Sequence, residues 1–198
     1  MTLVRRRGDS GQAFPIYITV VAGLLFLALA YLAVGQAAAN RNGAQTAADA
    51  AALAAALEAR DQLAQAWAED VLDPTKWQDI FNGTGPAVDA CWRAYDLAAV
   101  NDATANGCGH PDGPLSFEVT VTAAEAVGDS IVPGTEGMKS TASAKAVIES
   151  RCTYPPAEEP ADDALPELTC DGEVWELDPE DLDELPKPED LFDVHLAD

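Results

Sequence analysis

Basic side chains are scarce in this chain: 11 Lys and Arg stand against 34 Asp and Glu, a formal net charge of −23. So acidic a surface repels phosphate backbones, which argues against nucleic acid as a partner. Histidine is nearly absent, and the 2 present, His110 and His195, lie far apart. No glycine-rich phosphate loop, GxSxG or HExxH pattern and no EF-hand spacing occurs. Carboxylate density alone does not define a general acid pair. The run ELDPEDLDE lacks the glycine-turned ligand loop of a dedicated calcium site. Neither an enzyme nor a resident cofactor or metal is expected.

Charge is missing altogether from residues 10–40. The most apolar part runs from Phe14 to Val34, and a bilayer needs about 20 such residues of helix. A soluble core helix rarely needs so long a run. A secretory signal also starts with basic residues such as Arg5, Arg6 and Arg7, and Gln36-Ala37-Ala38-Ala39 offers small residues to a peptidase. Its apolar region is normally only about 7–15 residues, however. The next segment is an alanine-rich helix former rather than a turn. An uncleaved membrane anchor is expected. Pro15 fits its first turn, where a missing N–H costs nothing. Tyr17 and Tyr31 lie toward the two interfaces. Small residues such as Ala22 and Ala28 admit a neighbouring helix, but no GxxxG is present. Positive residues stay on the cytoplasmic side, so the chain from about Asn40 onward is expected outside.

The four cysteines, Cys91, Cys108, Cys152 and Cys170, then all lie in an oxidising compartment and read as two disulfides. Three pairings are possible. The local one, Cys91–Cys108 with Cys152–Cys170, closes two loops of similar size and is favoured. Zinc is the rival reading, but no CxxC pair occurs.

Beyond the apolar run, GAQTAADAAALAAALEARDQLAQAWAEDVL consists of strong helix formers. Leu53, Leu57, Ala64, Trp67 and Val71 step along one side, and Gln45, Asp49, Asp61, Gln65 and Glu69 keep the others wet. Either one helix runs through, or it breaks near Asn40–Gly43 and restarts. Asp73-Pro74 opens a short element with Trp77, Ile80 and Phe81 as its apolar cluster. AVDACWRAYDLAAVNDATANG reads as a further helix that Asn106-Gly107 ends, with Cys91, Tyr95 and Ala98 on one face beside Trp92 and Ala99. LSFEVTVTA alternates as a half-buried strand through Phe117, Val119 and Val121. A weaker alternation runs through Ala142, Ala144, Ala146 and Ile148. An antiparallel pair packed on a helix buries both faces, and its edges need cover.

From Thr153 the chain is acidic and proline-rich, with 17 acidic residues and one basic. It reads as a largely disordered tail, with a possible hairpin at 170–177. Leu182, Leu185, Leu191, Phe192 and Val194 are either scattered on this tail or dock on a partner. The expected fold class is α+β. The expected organisation is a cytoplasmic basic N-terminus (1–11), a transmembrane helix (12–39) and an extracytoplasmic continuation helix (40–72). A small disulfide-linked helix-plus-antiparallel-sheet domain (73–152) and an acidic tail (153–198) complete it.

Two pieces of the first 60 residues resemble the TadE/TadG-like proteins of Flp (tight-adherence) pilus assembly. One is Gly11-Gln12-Ala13 leading into the span with Pro15. The other is the block from Ala44 to Ala54, AQTAADAAALA, which contains Gln45, Asp49 and Leu53. Together they cover under a third of the chain. The composition resembles a GC-rich actinobacterial version. The resemblance implies a single-pass membrane protein with an exported C-terminal part, acting as a minor pilin or envelope scaffold. Its partners would be the lipid bilayer and other membrane, pilin or pilus-assembly proteins met through the N-terminal helix. Prepilins place a glutamate five residues after the processing glycine. Counting from Gly11 gives Ile16 instead, so the anchored TadG-like type fits better. The alternative role is a secreted or cell-surface anchored acidic binding module for a cell-wall or exported protein.

Overall fold

The structure, a computed structural model, describes residues 13–85, 88–126, 137–156, 165–179 and 185–197. Gly11, Gln12 and Leu182 fall outside the described residues. A single helix, α1, runs without interruption over Ala13–Glu69. At 1.5 Å per residue it is about 85 Å long. Gly43 lies inside it with open space around its Cα, so the helix does not break at Asn40–Gly43.

The two halves of α1 meet different surroundings. The N-terminal half has no part of its most apolar window buried, and its mean hydropathy there is 2.4. This helix is long and apolar enough to cross a membrane. The C-terminal half is the spine of the domain. Ala47, Ala48, Ala51, Ala52, Ala55 and Ala56 are each 0% exposed. Alanine is the best helix former, surrenders no side-chain entropy on burial, and lets a helix lie close to what it packs on. The expected stripe is therefore only partly right. Ala64, Trp67 and Val71 are buried, but Leu57 is 39% exposed and Leu53 only half-buried. The seam is made of alanines, and the two leucines stand on its flank.

Those alanines pack on a four-stranded antiparallel sheet of order β1-β2-β3-β7. Its strands are β1 (Ala103–Gly109), β2 (Ser116–Ala123), β3 (Thr141–Ser150) and β7 (Phe192–Leu196). Phe117, Val119 and Val121 are each 0% exposed and point at α1, as their alternation demands. On β3, Ala144, Ala146 and Ile148 are buried on the same side. The outer face is a polar ladder. Thr120 and Ser143 share a hydrogen bond of 2.8 Å, and the Asn106 amide donates to Thr122 at 2.6 Å. In β1 the register shifts between Ala105 and Gly107. Ala105 stays opposite Val121 and Cys108 opposite Val119, so the extra residue keeps Cys108 on the helix side of the sheet.

The third helix, α3, is shorter than expected and covers only Cys91–Val100. Asn101 caps it, its side-chain amide donating to the Leu97 carbonyl at 2.8 Å, and Asp102 takes a positive φ of 51°. The chain then becomes β1 instead of continuing the helix. Thr104, Asn106 and Gly107 are poor helix formers, and pairing with β2 outweighs the propensity of the intervening alanines. The buried face of α3 is Ala94 and Ala98, while Trp92, Tyr95 and Ala99 lie exposed.

The acidic end is more ordered than its composition suggests. A small sheet joins β4 (Cys152–Thr153), β5 (Leu168–Cys170) and β6 (Glu173–Trp175). The β5–β6 hairpin turns on Asp171-Gly172, whose φ values of 49° and 87° are those of the tight turn that suits twisted strands. A short helix, α4 (Pro188–Leu191), leads into β7, which pairs with β3. Leu191 and Phe192 are 0% and 1% exposed. These residues, read from sequence as either scattered on a tail or docked on a partner, dock on the protein's own sheet and cover the edge of β3.

The far end of α1 is held by aromatic rings. Trp67 packs on Trp77 at 5.6 Å between centroids, Trp77 on Tyr154 at 5.3 Å, and Phe81 on Phe192 at 5.2 Å. Trp77 and Phe81 belong to α2 (Trp77–Phe81), which comes after a single 3-10 turn at Pro74–Lys76. Lys76 ties that turn back to Asp70 at 2.5 Å, and this hydrogen bond raises its pKa above the ordinary lysine value. The Tyr154 hydroxyl is buried without a hydrogen-bond partner. Burial, and secondarily the charge of Asp79, pushes its pKa above the ordinary phenol value.

This packing sets the response to two substitutions. Ala55→Leu overfills the seam and is expected to cost about 1–3 kcal/mol, against under about 1 kcal/mol for Leu57→Ala, in urea unfolding monitored by tryptophan fluorescence. Tyr154→Phe removes an unpartnered hydroxyl and should leave the melting temperature equal or higher. The raised phenol favours the neutral form in the fold. Its contribution is complete below about pH 10 and is lost as pH rises through the folded pKa. A pH series should show that alkaline loss diminished in the variant.

Candidate functional site

Of the residues singled out by sequence, Gln45 and Asp49 come together where α1 leaves the apolar run and enters the domain. Gln45 and Asp49 are one turn apart, and the Gln45 amide donates to the Asp49 carboxylate at 2.8 Å. The same Gln45 nitrogen lies 3.4 Å from the Ser143 carbonyl on β3. This polar pair thus bonds internally and to the sheet. Pro15 sits in the first turn of α1, and its carbonyl accepts the Thr19 hydroxyl at 2.8 Å.

Asn40 is the contributor that sequence reasoning missed. Its Nδ2 donates to the Glu125 carbonyl at 3.2 Å and reaches that of Ala126 at 3.5 Å. Its Oδ1 accepts the Ser140 N–H at 3.3 Å. One side chain thereby gathers the end of β2 and the start of β3 onto the helix. In the sequence, Asn40 stands beside Arg41, Asn42 and Gly43 and so resembles a helix break. A cavity of about 290 Å³ opens beside it, lined by Gly43, Asn101, Asp102, Ala123 and Glu125 among others. Asn40 meets Ser140 and Gln45 meets Ser143, so α1 and β3 run in the same direction, away from the apolar run.

Leu53 lines a groove of about 330 Å³ between α1 and α3, with Ala50, Ala54, Leu57 and Leu97 as its floor and Glu58, Asp61 and Arg93 at its rim. Gln62 fixes the approach to α3: it donates to the Asp89 carbonyl at 2.8 Å and accepts the Asp89 N–H at 3.2 Å. The disulfides join Cys91 to Cys108, which ties α3 to β1, and Cys152 to Cys170, which ties β4 to β5. With all four thiols so used, the zinc reading loses its ligands. Among the described residues, no group of three or more His, Cys, Asp or Glu side chains is placed to hold a metal. What the arrangement does chemically is hold: amide-to-carbonyl bonds lock a helix to a sheet beside a stretch of apolar helix.

Residues 11–62 match the family described as "Putative Flp pilus-assembly TadE/G-like". The match covers the apolar run, Asn40 and the alanine seam as far as Gln62. No curated protein and no solved structure matches the chain. Asn40→Ala is expected to weaken the lock by about 0.5–1.5 kcal/mol. Hydrogen exchange should quicken at the Ser140 amide, while Asn42→Ala, an exposed neighbour on the same helix, leaves that rate unchanged.

Proposed function

We propose that this chain, whose residues 11–62 are a TadE/G-like Flp pilus-assembly segment, is a non-catalytic envelope scaffold of a Flp-type pilus or secretion assembly. The observation that carries the reading is the position of that segment. It spans both the helix long enough to cross a bilayer and the seam on which the folded domain is built. An anchor and a platform are thus parts of one rod. The N-terminus lies in the cytoplasm and the domain outside. Arg5, Arg6 and Arg7 support this orientation, as do two disulfides in the domain, which suit an oxidising compartment. The anchored, TadG-like type fits because Ile16 stands where a processed prepilin carries glutamate. Partners meet the exposed apolar helix within the bilayer and the α1–α3 groove outside it.

Photo-crosslinking residues placed at Leu25 and Leu53 test this in the native envelope. The expected result is a full-length membrane-bound chain with adducts to other membrane or pilus-assembly proteins. A product released from the cell and beginning after Ala39, with no such adducts, would overturn the proposal in favour of a secreted binding module.

A further inference from the structure

Three observations converge on the end of the domain nearest the apolar run. The first is spacing. Phe14–Val34 rises about 31 Å as helix, close to the hydrocarbon thickness of a bilayer of about 30 Å. Asn40 lies on the same unbroken helix, about 9 Å past Val34. The headgroup layer on one side is about 5–8 Å deep. Because Asn40 accepts the Ser140 N–H, the backbone at Ser140 stands at the outer face of that layer.

The second is direction. Since α1 and β3 both run away from the apolar segment, Met138 and Lys139, which precede Ser140, lie at or on the membrane side of that level. The third is exposure and charge. Met138 is 59% exposed. Arg60, Lys76, Lys145 and Arg151 each hold a carboxylate. Arg41, Arg93, Lys139 and Lys187 are exposed and make no ion pair among the described residues, and of these Arg41 and Lys139 lie at this end of the domain. Two unpaired cations and a bare methionine at one end of so acidic a protein are the composition of a membrane-contacting edge. Glu125 and Asp102 lie at the same end and oppose attraction to a merely anionic surface. The matching group is therefore the phosphate that every phospholipid carries.

The geometry points to a lipid-contacting edge, in which Met138 enters the headgroup layer and Arg41 and Lys139 pair with lipid phosphates. The domain then stands on the bilayer instead of pivoting above it. This rests on the anchored reading of α1.

The test uses the full chain in phospholipid nanodiscs, with a nitroxide on Met138→Cys and, for reference, on Leu25→Cys and Leu72→Cys. All four native cysteines are disulfide-bonded, so the introduced thiol is the one labelled. Collision with oxygen, which concentrates in lipid, is compared with collision with a water-soluble nickel chelate. Leu25 should favour oxygen and Leu72, in the turn just past the distal end of α1, nickel. Met138 should show several-fold less nickel collision than Leu72, and R41Q/K139Q should restore it toward the Leu72 value. A Met138 label as open to nickel as Leu72, with Leu25 in lipid, overturns the lipid edge alone. A Leu25 label open to nickel overturns the anchored reading as well. A Met138 label unmoved by R41Q/K139Q overturns the phosphate contacts.

Discussion

Everything in this structure depends on the close contact between one helix and one sheet. The alanines from Ala44 to Ala59 permit it, because nothing larger fits between the α1 backbone and the inward residues of β2 and β3. That contact orders the chain around it. It gives Phe117, Val119 and Val121 a surface to bury against, sets the level at which Asn40 and Gln45 meet β3, and leaves Leu53 and Leu57 on the flank toward α3. Alanine contributes little burial per residue, so the large side chains gather at the far end. There Trp67, Trp77, Phe81, Tyr154 and Phe192 supply the apolar mass that the seam lacks.

Much of this is legible in the chain. Period-two alternation announces β2 and, more faintly, β3. A charge-free run announces the exposed half of α1, and AQTAADAAALA announces the family segment that the comparison matches. Two features are hidden for definite physical reasons. Strand β1 is rich in alanine and comes directly after a helix, so its local preference says helix. Only its ladder with β2 and the disulfide from Cys108 to Cys91 say otherwise. Strand β7 lies in a segment whose acidity suggests no core at all. Its order comes from Leu191 and Phe192, two adjacent residues that find a pocket made by distant parts of the chain.

The candidate site is legible in part. Gln45 and Asp49 are visible as polar positions on an alanine helix, but their partner is not, because a carbonyl on β3 carries no side-chain signature. Asn40 misleads for a related reason. An asparagine beside a glycine at the end of an apolar run is a common helix terminator. Its true role needs the strand ends it gathers, and those lie 85 and 100 residues away in the chain.

The unbroken course of α1 has a mechanical consequence. From Asn40 to Trp67 the helix rises about 40 Å, and the sheet packs against this half, bonded to it at Asn40 and Gln45. With no hinge at Gly43 to absorb motion, helix and domain tilt as one body, and in the anchored reading the rod would be a lever working from the bilayer surface. A change of about 10° in the tilt of the span swings the aromatic end through about 7 Å. On that reading, whatever leans on the apolar half of the helix would be felt, amplified, at the far end of the domain.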